Sequence, residues 1–319
     1  MKAILLRTGG ELSYEDVPDP VAGPGEALVE LRAAAVNRRE LLVRNPPSPA
    51  YEFELPLTPG TDGAGVRRDT GEEVIVYPVL GWGDGELPQD GSRLLGGPAD
   101  GTYAELVAVP AANLFRKPAG LSWEEAASLP VAGITAHRAL FAVGELRPGE
   151  TVLVLGAGSG VSTFAVQLAQ AAGARVLVTS SSDAKIARAT RLGADGGVLY
   201  TEAGWAAKLP PVDLVFDSVG ATWPEALSTL RTGGRLVSLG ATAGSETTLD
   251  VRSVYLRSLS IRGTMLGSPR DFAALLELVE RAGVRPVIDS VRPLSEAAAA
   301  HERLRAGEQF GKLVLTPGA

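Results

Sequence analysis

The chain has 319 residues, of which 45% are hydrophobic and 21% are charged, and its formal net charge at pH 7 is −7. This length and composition predict a folded protein with two domains of unequal size. The acidic balance, without a run of Lys or Arg, indicates that nucleic acid is not a partner. Since no apolar stretch approaches about 20 residues and the N-terminus reads as a strand, we expect no membrane contact and a cytoplasmic location.

Cysteine is absent, and the two histidines are His137 and His301. Disulfide bonds, thiolate nucleophiles and ordinary zinc sites built from cysteine and histidine are therefore excluded. Neither histidine has a neighbouring arrangement of serine and carboxylate that suggests a catalytic triad, so we expect both to be structural.

Glycine and proline divide about the first 110 residues into short β segments. These segments are Met1–Arg7, Ala27–Ala35, Glu73–Tyr77 and Ala104–Pro110. The pattern is typical of an antiparallel, barrel-like domain. The glycine-rich stretch from Gly81 to Asp100 leaves two interpretations open, a lid or the remnant of a lost structural element.

The hydrophobic period changes at Ser122, which has capping-box spacing to Glu125 and predicts a helix through about Phe141. A series of alternating strands and helices follows. Its strands are predicted at Thr151–Leu155, Arg175–Thr179, Asp213–Phe216, Arg235–Leu239 and Leu259–Thr264, and its helices at Val161–Ala172, Asp183–Leu192 and Trp223–Leu230. Such alternation predicts a parallel sheet with helices on both faces.

The last part of the chain returns to short strands. Ser268 and Pro269 supply an N-cap and a helix-starting proline for a helix over Arg270–Ala282. The remaining predicted elements are a strand at Val287–Val291, a helix at Ser295–Leu304 and a strand at Lys312–Thr316. We therefore expect a nucleotide-binding domain over residues 119–268, inserted in a substrate-binding domain made of residues 1–118 and 269–319.

The strongest motif is a glycine turn between the first strand and first helix of this series. It reads Gly156-Ala157-Gly158-Ser159-Gly160-Val161 and follows the apolar strand directly. Glycines let the backbone approach a pyrophosphate, whose charge is met by free N–H groups and the helix dipole. A tight turn without a ligand is the alternative, but the position between a strand and a helix favours dinucleotide binding.

The end of the second strand indicates which dinucleotide binds. An NAD-type site carries an acidic residue there to hold the ribose hydroxyls, and this chain has Ser180 in that position. A 2′-phosphate has room to accept hydrogen bonds from Ser180 and Ser181 and to pair with Lys185, which predicts NADPH. The alternative is that Ser182 only caps the next helix and that Lys185 lies on a solvated face.

These motifs together resemble the medium-chain dehydrogenase/reductase superfamily and, within it, the zinc-free quinone oxidoreductases. The resemblance covers nearly the whole chain and rests on Ala35–Leu41, Pro59–Val66, Gly101–Glu105, Gly156–Val161 and Phe310–Val314. It implies an α/β protein with a GroES-like β-barrel catalytic domain and an inserted, doubly wound Rossmann domain.

The resemblance also maps the positions of the catalytic zinc ligands, two cysteines and a histidine in the superfamily's alcohol dehydrogenases. They fall on Asn37, Thr61 and Val131, and the cysteine-rich structural lobe maps onto Gly81–Gly97. Because these residues cannot act as Lewis-acid ligands, we expect no bound metal and no alcohol oxidation through a zinc alkoxide.

The remaining site residues are implied by the same resemblance. Asn37 orients the nicotinamide or donates to a carbonyl oxygen, unless it only forms a backbone-bonded turn. Arg38 and Tyr51 are further candidates at the substrate site, with a surface or packing role as the alternative, and Asp62 braces the cleft unless it is itself catalytic. The implied cofactor contacts beyond the glycine turn are Val219, Gly220, Leu239, Gly240, Ala241 and Lys312.

The predicted activity is hydride transfer from NADPH to a quinone or enone of small size. An enoyl or 2-alkenal reductase needs the same parts, and an idle NADPH-binding redox sensor is a third possibility. The resemblance further implies a homodimer, formed by edge pairing of a β-rich segment at Leu256–Arg262.

Overall fold

Two large sheets organise the chain in the computed structural model, which describes residues 1–318. Contacts assign Met1–Ala132 and the chain from Ser268 onward to a first unit, and Gly133–Gly267 to a second unit. The sequence placed this boundary near residue 119. The difference arises because the helix Trp123–Ala127 packs on strands of the first unit.

Both units contain helices as well as strands. In chain order, the helices are α1 Arg38–Arg44, α2 Trp123–Ala127, α3 Pro130–His137, α4 Gly160–Ala171, α5 Asp183–Arg191, α6 Trp223–Thr229, α7 Val251–Leu256, α8 Pro269–Ala282 and α9 Ala297–Ala306. The strands are β1 Lys2–Arg7, β2 Glu11–Asp16, β3 Glu26–Val36, β4 Asp62–Arg67, β5 Glu73–Val76, β6 Val79–Leu80, β7 Arg93–Leu94, β8 Leu106–Pro110, β9 Leu114–Arg116, β10 Thr151–Val154, β11 Arg175–Ser180, β12 Gly196–Leu199, β13 Val212–Asp217, β14 Leu230–Ser238, β15 Ser260–Gly263, β16 Ile288–Pro293 and β17 Lys312–Thr316.

Strand β3 is the centre of the first unit's large sheet. The strand order is β16-β17-β3-β4-β5-β9, and β8 also pairs with β3. The first part of β3 alternates buried and more exposed residues, as expected when one face is covered. Its end, from Ala33 to Val36, is wholly buried. Asn37, the residue that follows, therefore lies in the interior of the protein.

Strand β4 was not predicted, because it is rich in glycine, which disfavours strands. The structure explains these glycines by close backbone approach. A side chain at Gly65 would overlap the backbone of Glu30 on β3, and a Cβ at Gly63 would lie 2.9 Å from the Thr102 side chain. The glycines therefore allow β4 to lie against β3.

The second unit is a six-stranded parallel sheet in the order β12-β11-β10-β13-β14-β15. The chain winds outward from β10 in one direction and from β13 in the other, so right-handed crossovers place helices on both faces. The switch in winding direction lies between β10 and β13. In such sheets ligands bind there, at the carboxyl ends of the strands.

Several predicted elements have different bounds in the structure. The helix predicted from Ser122 to Phe141 is α2 and α3, followed by a π-helical turn at Arg138–Ala142. The interruption is explained by Pro130, which has no N–H to donate. The capping box at Ser122 and the N-cap at Ser268 are confirmed, and Ser268 additionally forms a capping box with Asp271. No helix among residues 1–318 is both long enough and apolar enough to cross a membrane.

Candidate functional site

The residues predicted at the substrate site come from neighbouring strands of the first unit. Asn37 directly follows β3, Asp62 begins β4, and Lys312 begins β17. The register pairs Asp62 with Ala35, two residues before Asn37, and β17 pairs with the same end of β3. Strand pairing thus places three residues that are distant in sequence side by side.

Asn37, Asp62 and Lys312 form a buried, hydrogen-bonded group, which we call the Asn37 cluster. The Asn37 Nδ2 group donates to Asp62 Oδ2 at 3.0 Å. The Lys312 ammonium donates to Asn37 Oδ1 at 2.5 Å and to Asp62 Oδ2 at 2.9 Å. Asp62 Oδ1 accepts from the Val131 amide at 2.8 Å. The predicted bracing role of Asp62 agrees with these contacts.

Glu40 supports the cluster from helix α1 and was missed by sequence reasoning. Its carboxylate accepts from the Asn37 amide at 2.8 Å, and from the amide and hydroxyl of Thr61 at 3.0 and 2.7 Å. Burial raises the pKa of Glu40, while the Thr61 hydrogen bond opposes that shift. Asn37 and Glu40 have the spacing of a capping box, and this spacing could have identified Glu40 from the sequence.

The other predicted residues beside the cluster have different environments. Arg38 is exposed, and no hydrogen bond or ion pair involves it within residues 1–318. Arg39 instead donates to the carbonyls of Leu95, Gly96 and Gly97, which anchors the end of the glycine-rich loop. Tyr51 packs against the apolar cluster of Leu6, Val43 and Leu57.

The glycine turn of the second unit has the features of a phosphate site. Gly156 has a φ of 76°, and its amide donates to the Thr179 hydroxyl. Ser159 caps α4 by accepting from the Ser162 amide at 3.1 Å. Within the described chain the amides of Gly158, Gly160 and Val161 have no acceptor. Three free N–H groups at the start of a twelve-residue helix suit a pyrophosphate.

The resemblance maps the last glycine of the superfamily's turn onto Ser162. Its side chain is fully buried, and its hydroxyl lies 3.3 Å from the Leu155 carbonyl oxygen, to which it donates. The hydroxyl therefore bonds α4 to the end of the preceding strand.

A second loop beside the turn is organised by Asp217. Its buried carboxylate accepts from the amides of Val219 and Gly220 at 2.8 and 3.0 Å, and from the Trp223 indole at 2.6 Å. A Cβ added at Gly156 would lie 3.2 Å from the Val219 side chain. Two predicted cofactor contacts therefore lie together, and Asp217 holds their loop in place.

The third predicted loop, at Leu239, Gly240 and Ala241, joins the same edge of the sheet. The Leu239 amide donates to the Asp217 carbonyl at 2.9 Å. A Cβ added at Gly240 would lie 3.1 Å from the Ser218 carbonyl oxygen. The carboxyl ends of β10, β13 and β14 thus bring the predicted residues of this unit together.

The residues predicted to contact a 2′-phosphate lie at the end of β11 and the start of α5. Ser180 is buried, and its hydroxyl oxygen accepts from the Ser182 amide at 3.1 Å. Ser181 is exposed and Lys185 is half-buried. Ser182 holds the N-cap position of α5, without a hydrogen bond from its side chain to the helix. The Ser180 hydroxyl hydrogen remains available to donate.

Comparison with protein-family models matches both units. Residues 23–119 match the alcohol dehydrogenase GroES-like domain, and residues 160–281 match the zinc-binding dehydrogenase model. A zinc-type alcohol dehydrogenase-like protein of Schizosaccharomyces pombe is 36% identical over 94% of this chain and 93% of that protein. The chain belongs to the medium-chain dehydrogenase/reductase superfamily. Oxidoreductases of this superfamily use NAD(P), and the predicted combination of GroES-like and Rossmann domains is confirmed.

Two solved structures of the superfamily are also similar to the whole chain. A crystal structure described as an NAD-dependent alcohol dehydrogenase has a TM-score of 0.94 and 38% identity, and covers 100% of both chains. The quinone oxidoreductase of Thermus thermophilus, solved also with NADPH, has a TM-score of 0.83 and 33% identity, and covers 99% of this chain and 100% of that chain. The names of these relatives indicate different substrates and cofactors. The substrate and cofactor of this chain must therefore be inferred from the residues of its own site.

In this member of the superfamily the three expected zinc positions have other contacts. Asn37 binds Lys312 and Asp62, the Thr61 hydroxyl donates to Glu40, and the Val131 amide donates to Asp62. No group of three or more His, Cys, Asp or Glu side chains that could hold a metal ion occurs in the described part of the chain. The cation that Asn37 contacts is the Lys312 ammonium.

Proposed function

We propose that the protein is an NADPH-dependent, zinc-independent reductase that transfers hydride to a quinone or another α,β-unsaturated carbonyl compound. The observation that carries this proposal is the position of the Lys312 ammonium. It lies within hydrogen-bond distance of Asn37 Oδ1 and Asp62 Oδ2, and the resemblance maps a zinc ligand of the superfamily's alcohol dehydrogenases onto Asn37. A fixed positive charge there repels Zn²⁺, and neither an amide nor a threonine hydroxyl is a ligand that zinc prefers.

The missing Lewis acid favours conjugated acceptors over alcohols. An alcohol must lose a proton as well as a hydride, and zinc normally lowers the barrier to that proton loss. A quinone or enone is already electrophilic, so it accepts the hydride at carbon and then takes a proton from water. The protein's contribution is to bind and orient the two reactants.

The second unit supplies the features for the cofactor. When bound, NADPH supplies the hydride; the free amides of Gly158, Gly160 and Val161 suit its pyrophosphate. Ser180 and Ser181 leave space for a 2′-phosphate where an acidic residue would repel it. The similarity to a quinone oxidoreductase solved with NADPH is consistent with this choice.

The test is NADPH oxidation by the purified protein with a panel of benzoquinones, phenanthrenequinone and 2-alkenals, together with elemental analysis for zinc. We expect turnover with quinones, no zinc, and no oxidation of ethanol or butanol. Turnover with 2-alkenals alone would indicate the alkenal reductase, and NADPH binding without turnover would indicate a sensor. Stoichiometric zinc, with activity lost to chelators, would contradict the proposal.

We also propose that two copies pair through the β15 edge of the second unit's sheet. The β-rich edge segment predicted at Leu256–Arg262 needs correction, because Leu256 ends helix α7 and only Ser260–Gly263 forms the edge strand. Large apolar side chains flank this edge and are 63–69% exposed: Val251, Tyr255, Leu256 and Met265. Light scattering should show a dimer that Leu256→Glu weakens, whereas Leu87→Glu, at an exposed residue of the first unit, should leave it intact.

A further inference from the structure

The amide of Asn37 is bonded on both sides by charged groups. Its oxygen accepts from the Lys312 ammonium, and its nitrogen donates to the Asp62 carboxylate. A reversed amide would point its N–H groups at the ammonium and its oxygen at the carboxylate. Both hydrogen bonds would then be lost between buried groups, which is costly. The two charges therefore allow one orientation of the amide.

The charged pair is itself held in place by its surroundings. Asp62 Oδ1 accepts from the Val131 amide, and the Asp62 carbonyl accepts from the Thr102 hydroxyl at 2.6 Å. Lys312 is 3% exposed and already donates to two oxygens. Two of the three ammonium hydrogens thus have internal acceptors and the group is little exposed, while the cofactor contact predicted for Lys312 from the sequence stays a prediction.

One donor of the Asn37 amide is left over. The Nδ2 group carries two hydrogens, and Asp62 takes one of them. Across residues 1–318 no acceptor receives the second. Because the amide oxygen is bound to an ammonium, hydrogen-bond cooperativity makes the remaining N–H a stronger donor.

We infer that Lys312 and Asp62 are positioning residues, which fix the Asn37 amide so that its second Nδ2 hydrogen donates to the carbonyl oxygen of the substrate. This inference rests on the proposed function. The carbonyl oxygen gains negative charge as hydride arrives at the conjugated carbon, so the hydrogen bond is stronger in the transition state than in the ground state. The pair therefore acts on the reaction through Asn37.

Double-mutant kinetics test this coupling. Asn37→Ala and Lys312→Met should each lower kcat on the order of 10²-fold, as loss of one oxyanion donor does. The double variant should be no slower than Asn37→Ala, because Lys312 acts only through that residue. Lys312→Arg should recover part of the activity. The dissociation constant for NADPH, titrated without acceptor, should stay within about twofold of the wild type in every variant.

Lys117 provides a matched control in the same unit. It is also a buried lysine, with an ion pair to Glu73 at 3.0 Å and a hydrogen bond to the Leu121 carbonyl at 2.8 Å. Lys117→Met should leave kcat unchanged. If Lys312→Met does not fold, Asp62→Asn/Lys312→Met removes both charges and is compared with Asn37→Ala in the same way.

Selective ¹⁵N labelling of asparagine gives a readout that does not depend on turnover. The chain has three asparagines, Asn37, Asn45 and Asn113. The Asn113 amide is buried and donates to the carbonyls of Tyr77 and Val79, so it serves as the internal reference. Lys312→Met should move the Asn37 side-chain resonances and leave those of Asn113 unchanged.

The possible results separate this inference from the proposed function. Loss of NADPH affinity with unchanged kcat in Lys312→Met would show a cofactor contact and overturn the inference. Additive losses in the double variant, or unmoved Asn37 resonances, would overturn it as well. In each of these cases the proposed function would still stand if the wild type reduces quinones. A wild type that turns over no acceptor would overturn both the proposed function and this inference.

Discussion

The Asn37 cluster and the glycine turn are built from different materials. The cluster consists of side chains, and its members Asn37 and Lys312 are 275 residues apart in sequence. The turn consists of backbone N–H groups within one short segment, from Gly156 to Val161. A site made of backbone depends on local conformation, whereas a site made of side chains depends on which strands pair. The two regions should therefore fail in different ways when mutated.

The largest expected effect is on the stability of the cluster. Asp62→Ala leaves the Lys312 ammonium buried without its carboxylate, and breaking a buried pair in this way costs about 3–5 kcal/mol. Urea unfolding followed by fluorescence measures the loss. Asp16→Ala is the control, because Asp16 forms an ion pair with Lys2 at the surface and its loss should have no measurable effect. An equal loss of unfolding free energy in the two variants would contradict the prediction that burial makes the Asp62–Lys312 pair important for stability.

The first unit should also be sensitive to acid through His301. Burial, with smaller contributions from Arg44 and Arg305, lowers the pKa of His301 to about 3. Between that value and the ordinary value of 6.5, the unfolded chain binds a proton that the folded chain does not, so stability falls as pH falls through this window. Unfolding of the wild type and of His301→Gln at pH 7 and pH 5 measures this. The variant should lose less stability than the wild type over that interval, and an equal loss would contradict the prediction.

Local patterns were sufficient to predict most of the second unit's strands and helices, since the glycine turn and the alternating elements are each contained in short segments, although strand β12 and helix α7 were not predicted. They were not sufficient for the Asn37 cluster. Its bond to Lys312 depends on antiparallel pairing of β17 with β3, and no local signal contains that pairing. Glu40 had a local signal, the capping-box spacing to Asn37, that was overlooked. Strand β4 could not be recognised in the sequence because it is rich in glycine. Glycine has a low strand propensity, and here it is required for close backbone packing.

Cofactor preference is the next largest effect, and it tests a side-chain feature within the second unit. Ser180→Asp places a negative charge where a 2′-phosphate should bind and should reverse a preference for NADPH over NADH. One or two charge-assisted hydrogen bonds of about 1.5–3 kcal/mol each imply about ten- to several-hundredfold discrimination in the native protein. Dissociation constants for both cofactors measure this. Ser228→Asp adds the same charge at an exposed residue near the end of helix α6, just before β14 begins at the opposite, amino edge of the sheet, and should not change the preference. Equal native affinities would show that this loop does not read the phosphate.

The smallest expected effect concerns backbone shape at the carboxyl edge of the second unit's sheet, where the predicted cofactor contacts lie. Gly220 has a φ of 84°, its amide is bound by Asp217, and an added Cβ would overlap the carbonyl oxygen of Gly244. Gly220→Ala must therefore displace a loop that borders the glycine turn. Strain of about 1–3 kcal/mol corresponds to roughly five- to 150-fold weaker NADPH binding if it is relieved by moving that loop.

Gly204→Ala separates this displacement from backbone strain. Gly204 has a φ of 69°, but no atom lies within 4 Å of an added Cβ. Both variants adopt an unfavourable backbone conformation, yet only Gly220→Ala also meets a neighbouring chain segment. NADPH titration should therefore show weaker binding for Gly220→Ala alone, while urea unfolding detects the strain in both. If Gly204→Ala weakened NADPH binding equally, the loss would follow from general strain, and the backbone-built site would not depend on local shape as we infer.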